Sequence, residues 1–179
     1  EGSEEIFPDV VGYVQAAQAK LCYQPGTFQL RVGKLKTKAI LARTHVLVVN
    51  KQEAEDYLDQ EPTANFRTLL DGLLELGTRI AVVTDGPKGA YVSDGKEYLF
   101  LGIIKEAARV EATGAGDAFS STFVAALADG QSLGEALRWG QCQSSSVIQL
   151  IGAQAGLLNR PRLQKLLDTY PDLQPQKIA

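Results

Sequence analysis

The sequence predicts an α/β protein: a doubly wound, mostly parallel sheet with helices on both faces. Three observations carry that expectation. The runs Val46-Leu47-Val48-Val49 and Arg79 to Thr84 hold near-continuous apolar, β-branched residues, the pattern of strands covered on both faces. Between and around them, apolar residues recur at helical spacing. Strand patterns also alternate with helical ones along the chain, the order that builds a parallel sheet by crossovers.

The elements follow in order. Val10, Val11, Val14, Ala17 and Leu21 recur at helical spacing through the first segment. Leu21-Cys22-Tyr23 reads as a short strand stopped by the turn signal Pro25-Gly26. Leu30 to Ala42, mixed and basic, reads as helix. The Val46–Val49 strand gives way at Asn50 to helical patterns over Lys51–Asp59 and Thr63–Leu76, the second ended by Gly77. Tyr91–Ser93 and Glu97–Leu101 flank Asp94-Gly95, a hairpin signal. An extended segment, Leu99 to Val110, leads to helices over Ala115–Asp129, Leu133–Leu150 and Arg162–Thr169. The tail from Tyr170, with Pro171 and Pro175, reads as frayed. No repeat or linker interrupts the pattern, so residues 1–179 are expected to form one domain.

Composition narrows the function classes. At 179 residues, 45% hydrophobic and 22% charged, the chain is ordinary for a soluble globular protein. Its net charge of −3 gives no footprint for nucleic acid or an anionic membrane, so neither is expected as a partner. No apolar run reaches spanning length, and the N-terminus is acidic rather than signal-like. Two cysteines, Cys22 and Cys142, suit a reducing cytoplasm better than a disulfide framework and are expected as buried thiols.

The most informative stretch is Glu111-Ala112-Thr113-Gly114-Ala115-Gly116-Asp117-Ala118-Phe119. It places two glycines and a carboxylate where an extended segment meets a long helix. A helix opening on small residues presents unpaired N–H groups and the positive end of its dipole, an anion site. An Asp in that first turn repels a phosphate unless its task is to take a proton from a hydroxyl beside it, which is what a kinase site requires. Two other phosphate loops fail. A P-loop needs GxxxxGK[ST], but Gly95-Lys96 is preceded by Ala90 and followed by Glu97. The dinucleotide pattern GxGxx[GA] lacks its third small residue, since Phe119 stands there. From residue types alone the run also suits a plain tight turn with Asp117 favouring the helix N-terminus by charge.

The stretch ThrGlyAlaGlyAspAlaPhe at 113–119 resembles the signature of the ribokinase-like (PfkB-type) carbohydrate and nucleoside kinases. Asn50-Lys51-Gln52-Glu53 resembles that family's NxxE element. Val82-Val83-Thr84-Asp85-Gly86-Pro87-Lys88-Gly89-Ala90 resembles its strand-ending TxGxxG phosphate loop, and Gly152-Ala153-Gln154 its late cation-site loop. The resemblance covers nearly the whole chain but begins part-way through the family's fold. It implies a ribokinase-like three-layer α/β/α architecture without the N-terminal part, its β-sheet lid and most sugar-recognition residues. The chain contains no Met, so it does not read as a translation product starting at residue 1.

The resemblance implies ATP and Mg²⁺ as cofactors and a sugar or nucleoside as acceptor. It implies Asp117 as general base, touching the substrate hydroxyl, and Gly114, Ala115, Gly116 and Asp117 as the anion hole. Thr84, Gly86, Lys88 and Gly89 would line the nucleotide phosphates. A plain β-turn explains that second loop about as well, and Lys88 alone reads as a surface residue. Asn50 and Glu53 would order phosphate and, through water, Mg²⁺; they equally suit a helix cap. Gln141 would lie near the adenine or be simply a polar helix residue. His45, the only histidine, has no partner at suggestive spacing and reads as structural.

One departure stands out. The family usually has Asp-Thr or Asp-Pro before this signature, and here it is Glu111-Ala112. That Asp helps build a monovalent-cation site in many members, so Glu111 and Thr113 are candidate K⁺ ligands and K⁺ dependence is open. The expected activity is ATP-dependent phosphorylation of a sugar or nucleoside hydroxyl, poor in this chain alone because the lid is absent. The alternatives are a non-catalytic interaction module, against which Asp117 speaks, and a kinase for a vitamin-type alcohol such as a hydroxymethylpyrimidine. A homodimer would form through the absent lid.

Overall fold

The computed structural model describes residues 3–26, 29–30, 33–63, 65–105 and 107–178. Its strands and helices alternate to give a mixed, mostly parallel sheet flanked by helices, as the sequence predicts. The chain packs as two compact units.

The first unit comprises residues up to Asp85 together with Tyr91–Tyr98. Helix α1 (Phe7–Ala16) precedes strand β1 (Leu21–Tyr23), helix α2 (Lys34–Leu41) and strand β2 (Thr44–Asn50). Residues 31 and 32 of the expected Leu30–Ala42 helix lie outside the described residues. Helices α3 (Lys51–Leu58) and α4 (Phe66–Glu75) follow, then strand β3 (Ile80–Thr84). Strands β1, β2 and β3 pair in parallel, with Val46 opposite Ile80 and Asn50 opposite Thr84. Val46–Val49 are only 2–3% exposed, as two-sided burial requires. Leu69, Leu70 and Leu73 of α4 are fully buried, the apolar stripe of an amphipathic helix. Helix α4 starts at Phe66 rather than Thr63, because the Asn65 side chain accepts the Thr68 N–H and fixes the N-cap there.

The second unit comprises Gly86–Ala90 and Leu99–Ile178. A single 3₁₀ turn at Gly86–Lys88 opens it; strand β4 (Ala90–Ser93) belongs, apart from Ala90, to the first unit, and strand β5 (Tyr98–Leu101), apart from Tyr98, to the second. The extended segment expected over Leu99–Val110 is corrected: regular strand ends at Leu101, and a turn bonds Ala107 N–H to Ile104 O. Helices α5 (Ala115–Ala128), α6 (Leu133–Val147) and α7 (Arg160–Thr169) follow. Helix α7 begins two residues before the sequence pattern indicates, because Asn159 caps it and Pro161 preorganises its first turn.

The tail does not fray. Strand β6 (Gln176–Lys177) pairs antiparallel with Phe100 and Leu99 of β5. Arg138 of α6 clamps the approach: Nε donates to Leu173 O at 2.7 Å and Nη2 to Leu167 O at 3.2 Å, while Nη1 meets Glu135. Both cysteines are free thiols. Cys142 is buried, and burial pushes its pKa up to about 12; Cys22 is only half-buried. No helix among the described residues is long and apolar enough to cross a membrane.

Candidate active site

In the first unit the carboxyl ends of two neighbouring parallel strands present Asn50 and Thr84 side by side, in register. Ligands in open α/β sheets bind beyond such strand ends. Asn50 is also the N-cap of α3. Its Oδ1 accepts the Glu53 N–H at 2.9 Å, and its own N–H donates to Glu53 Oε2 at 2.8 Å. This is a complete capping box, so two helix-start donors are satisfied by local sequence alone. The NxxE spacing is thus fully explained by the helix start, and Glu53 still presents a carboxylate there.

The next turn of α3 is held separately. Glu55 is buried, paired with Lys51 at 3.0 Å, and accepts the Thr63 N–H at 2.8 Å. That backbone hydrogen bond, outweighing burial, holds its carboxyl below the ordinary range.

In the second unit the Gly86–Lys88 turn exposes Gly86 and Lys88 and buries Gly89. A Cβ at Gly89 would stand 2.1 Å from Leu101 O, so packing demands glycine there whatever the loop binds. The mouth of α5 carries the second group. Gly114 is its N-cap, left-handed at φ +79°, and no side chain caps the helix. A Cβ on Gly114 would meet Ala153 Cβ and O at 2.7 Å. The close approach made possible by this glycine is therefore to the Gly152–Gln154 loop.

The helix mouth offers fewer free first-turn donors than the sequence indicates. Ala115 N–H is committed to Ala112 O at 3.1 Å, which centres the first-turn donors on Gly116 and Asp117. Both residues are exposed. Ser120 and Ser121 donate their hydroxyls to the Asp117 backbone carbonyl at 3.2 and 2.7 Å, fixing that turn.

Glu111 and Thr113 stand together with the late loop. Glu111 Oε2 accepts the Gly152 N–H at 2.8 Å. The Thr113 hydroxyl, the larger influence, and this N–H hold the Glu111 carboxyl below its ordinary value. Val110 and Glu111 N–H groups both bond Ile148 O, at 2.8 and 3.1 Å, so the strand-side approach to α5 is tied to the end of α6. The sequence paired these segments only through resemblance; the structure gives them a covalently remote but direct brace.

Gln141 is 7% exposed inside α6 and takes no part in the Glu111–Gly152 brace. Its neighbour Gln143 is 2% exposed, with a buried Nε2 that has no hydrogen-bond partner among the described residues. Gln143 drew no attention in the sequence, where a Gln on a helix carries no burial signal. Asp85 is half-buried between Thr84 and the Gly86 turn, and its charge adds to burial in raising the Tyr91 pKa.

For a metal, Glu53 supplies one carboxylate whose Oε2 already takes an N–H. Among the described residues no group of three or more His, Cys, Asp or Glu side chains is placed to hold an ion. That donor set suits Mg²⁺ carried mainly by waters and phosphate oxygens rather than a protein cage.

Asn50 and Thr84 at neighbouring strand ends, the Gly86–Lys88 turn and the uncapped mouth of α5 are the segments that carry the sequence resemblance. A sequence model of pfkB family carbohydrate kinases matches residues 14–160, and the chain belongs to that family. It is 27% identical over 153 residues to an ATP-dependent 6-phosphofructokinase of Thermoanaerobacterium thermosaccharolyticum, covering 83% of this chain and 46% of the relative. It is 27% identical over 135 residues to a ribokinase of Haemophilus influenzae, covering 72% of this chain and 42% of the relative. The fold superposes on Arabidopsis thaliana ribokinase complexed with ribose and ATP with a TM-score of 0.80 at 25% identity, over 92% of this chain and 52% of that one. The chain spans about half the length of the curated relatives it matches.

Proposed function

We propose that this chain is the nucleotide-binding and catalytic-base portion of a cytoplasmic, ATP-dependent kinase that phosphorylates a hydroxyl of a sugar or nucleoside. The observation that carries the reading is Asp117, exposed in the first turn of an uncapped helix that opens on a left-handed glycine. There a carboxylate and backbone donors share one helix mouth, so a base and an anion hole stand within one turn.

In this reading the acceptor oxygen attacks the γ-phosphorus, its proton passes to the Asp117 carboxylate, and the bond to the bridging oxygen breaks to release ADP. Gly116 and Asp117 N–H groups, with Gly114 and Ala115 shaping the turn, meet the charge on the transferred group. Thr84, Gly86, Lys88 and Gly89 flank the nucleotide phosphates, and Asn50 positions a phosphate oxygen. Glu53 orients waters of Mg²⁺, whose charge offsets that of the phosphates when bound. Gln141 supports the helix face near the base of the nucleotide.

Replacing Asp117 by Asn keeps the shape and removes the base. Transfer from ATP to ribose, fructose or a nucleoside should fall by about 10²–10⁴-fold with nucleotide binding retained. An Asp117→Asn protein as active as wild type overturns the assignment. Glu111 and Thr113 as K⁺ ligands are tested by adding K⁺: a rate indifferent to it removes both from the site.

A further inference from the structure

We propose that the groove at the amino-terminal ends of β2 and β3, lined by Lys20, Arg43, His45 and Arg79, is a second anion site that takes a small phosphorylated molecule. The groove measures about 430 Å³, a size that holds a small ligand. Three segments far apart in sequence build it: the turn after α1, the turn after α2, and the lead-in to β3. None of the residues lining it is acidic, although acidic residues outnumber basic ones in the whole chain. Among the described residues, Lys20, Arg43 and Arg79 enter no ion pair. Three cations thus converge on one concavity whose lining holds no acidic residue, which concentrates a positive field there.

The groove is preformed by backbone bonds. Ala19 N–H reaches Val14 O at 3.0 Å and Gln18 N–H reaches Gln15 O at 3.2 Å, closing the α1 end. Arg79 N–H donates to Thr44 O at 3.3 Å, and the Thr44 hydroxyl to Ile40 O at 2.8 Å, joining the other two segments. The carbonyl ends of α1 and α2 lead into the same groove and weigh against an anion. Each is worth about half a negative charge, so together they offset about one of the three cations and leave a clear positive excess.

His45 lies between these charges. Burial, then Lys20 and Arg79, depress its pKa. An anion seated between Lys20 and Arg79 would relieve that repulsion and accept a hydrogen bond from the protonated ring. The site is distinct from the proposed kinase centre: Thr44 and Asn50 stand at opposite ends of β2, about 20 Å apart at the rise of a strand. The inference does not depend on the kinase reading, because nothing in its test requires turnover.

His45 is the only histidine in the chain, so its ring resonance is a single local reporter. The experiment is an NMR pH titration of that resonance with inorganic pyrophosphate, against NaCl of equal ionic strength. The expected result is a midpoint raised by pyrophosphate beyond the NaCl control. The combined variant Lys20→Gln and Arg79→Gln, both exposed positions, should weaken that response about tenfold or more. A midpoint no different from the NaCl control overturns the proposal, and so does a response of wild-type strength in the double variant. A His45 response to a short single-stranded RNA but not to pyrophosphate also overturns it, since the groove would then read a nucleic-acid backbone.

Discussion

Replacing Gly114 by Ala tests whether the mouth of α5 is built against the late loop as the structure has it. Two costs add at this position. A non-glycine residue in the left-handed region costs about 1–2 kcal/mol. The new Cβ would also stand 2.7–2.8 Å from three atoms of Ala153, two of them backbone, and overpacking of that kind costs about 1–3 kcal/mol. Against this, the lost flexibility of the unfolded chain returns about 0.4–1 kcal/mol. The net expectation is a destabilisation of about 1–4.6 kcal/mol, centred near 3. Gly86→Ala is the matched control, since Gly86 lies in the same unit with φ +49° and a Cβ there meets nothing within 4 Å. It should cost about 1 kcal/mol or less, because only the dihedral contribution remains. Urea unfolding followed by Trp139, the single tryptophan and a buried residue of the same unit, reads both variants. Ala153→Gly in the Gly114→Ala background should restore only part of the loss, because Ala153 O and Cα remain in the way. Equal midpoints for Gly114→Ala and Gly86→Ala would refute the close approach of these two loops.

Further outcomes follow from other contacts. Arg138→Ala should destabilise the second unit by about 2–3 kcal/mol, since a 12%-exposed guanidinium that serves three carbonyls and Glu135 is lost. Hydrogen exchange should then show lost protection at the β5–β6 pairing, and Arg138→Lys should recover little of it, lacking the planar fork. Glu55 has a folded pKa below its unfolded value, so its contribution is complete above about pH 4.3 and is lost as pH falls through the lower folded value. Acid unfolding of Glu55→Gln should be flatter across that window than wild type; identical acid profiles would remove Glu55 from the account.

The candidate site was legible where its signals are local. Asn50 and Glu53 lie three residues apart, and one helix start makes their capping box. Gly114 to Asp117 are consecutive, and the dipole argument needs only the helix that follows them. The Gly89 and Gly114 requirements were half visible: the sequence shows glycine, but Leu101 O and Ala153 supply the reason. Ala115 was counted among the free helix-start donors by position alone, and only its bond to Ala112 O shows that its donor is committed.

What the sequence determined by itself is whatever a window of a few residues decides: the buried runs of β2 and β3, the helix cap at Asn50, and the uncapped mouth of α5. Tertiary structure alone decided the docking of the tail through Arg138 and β5, the Glu111–Gly152 brace, and the joining of Lys20, Arg43, His45 and Arg79 in one groove. The physical reason is separation along the chain. Propensity, periodicity and capping act over one or two turns, whereas a guanidinium meeting a carbonyl 35 residues later, or a carboxylate meeting an N–H 41 residues later, depends on where packing brings the backbone.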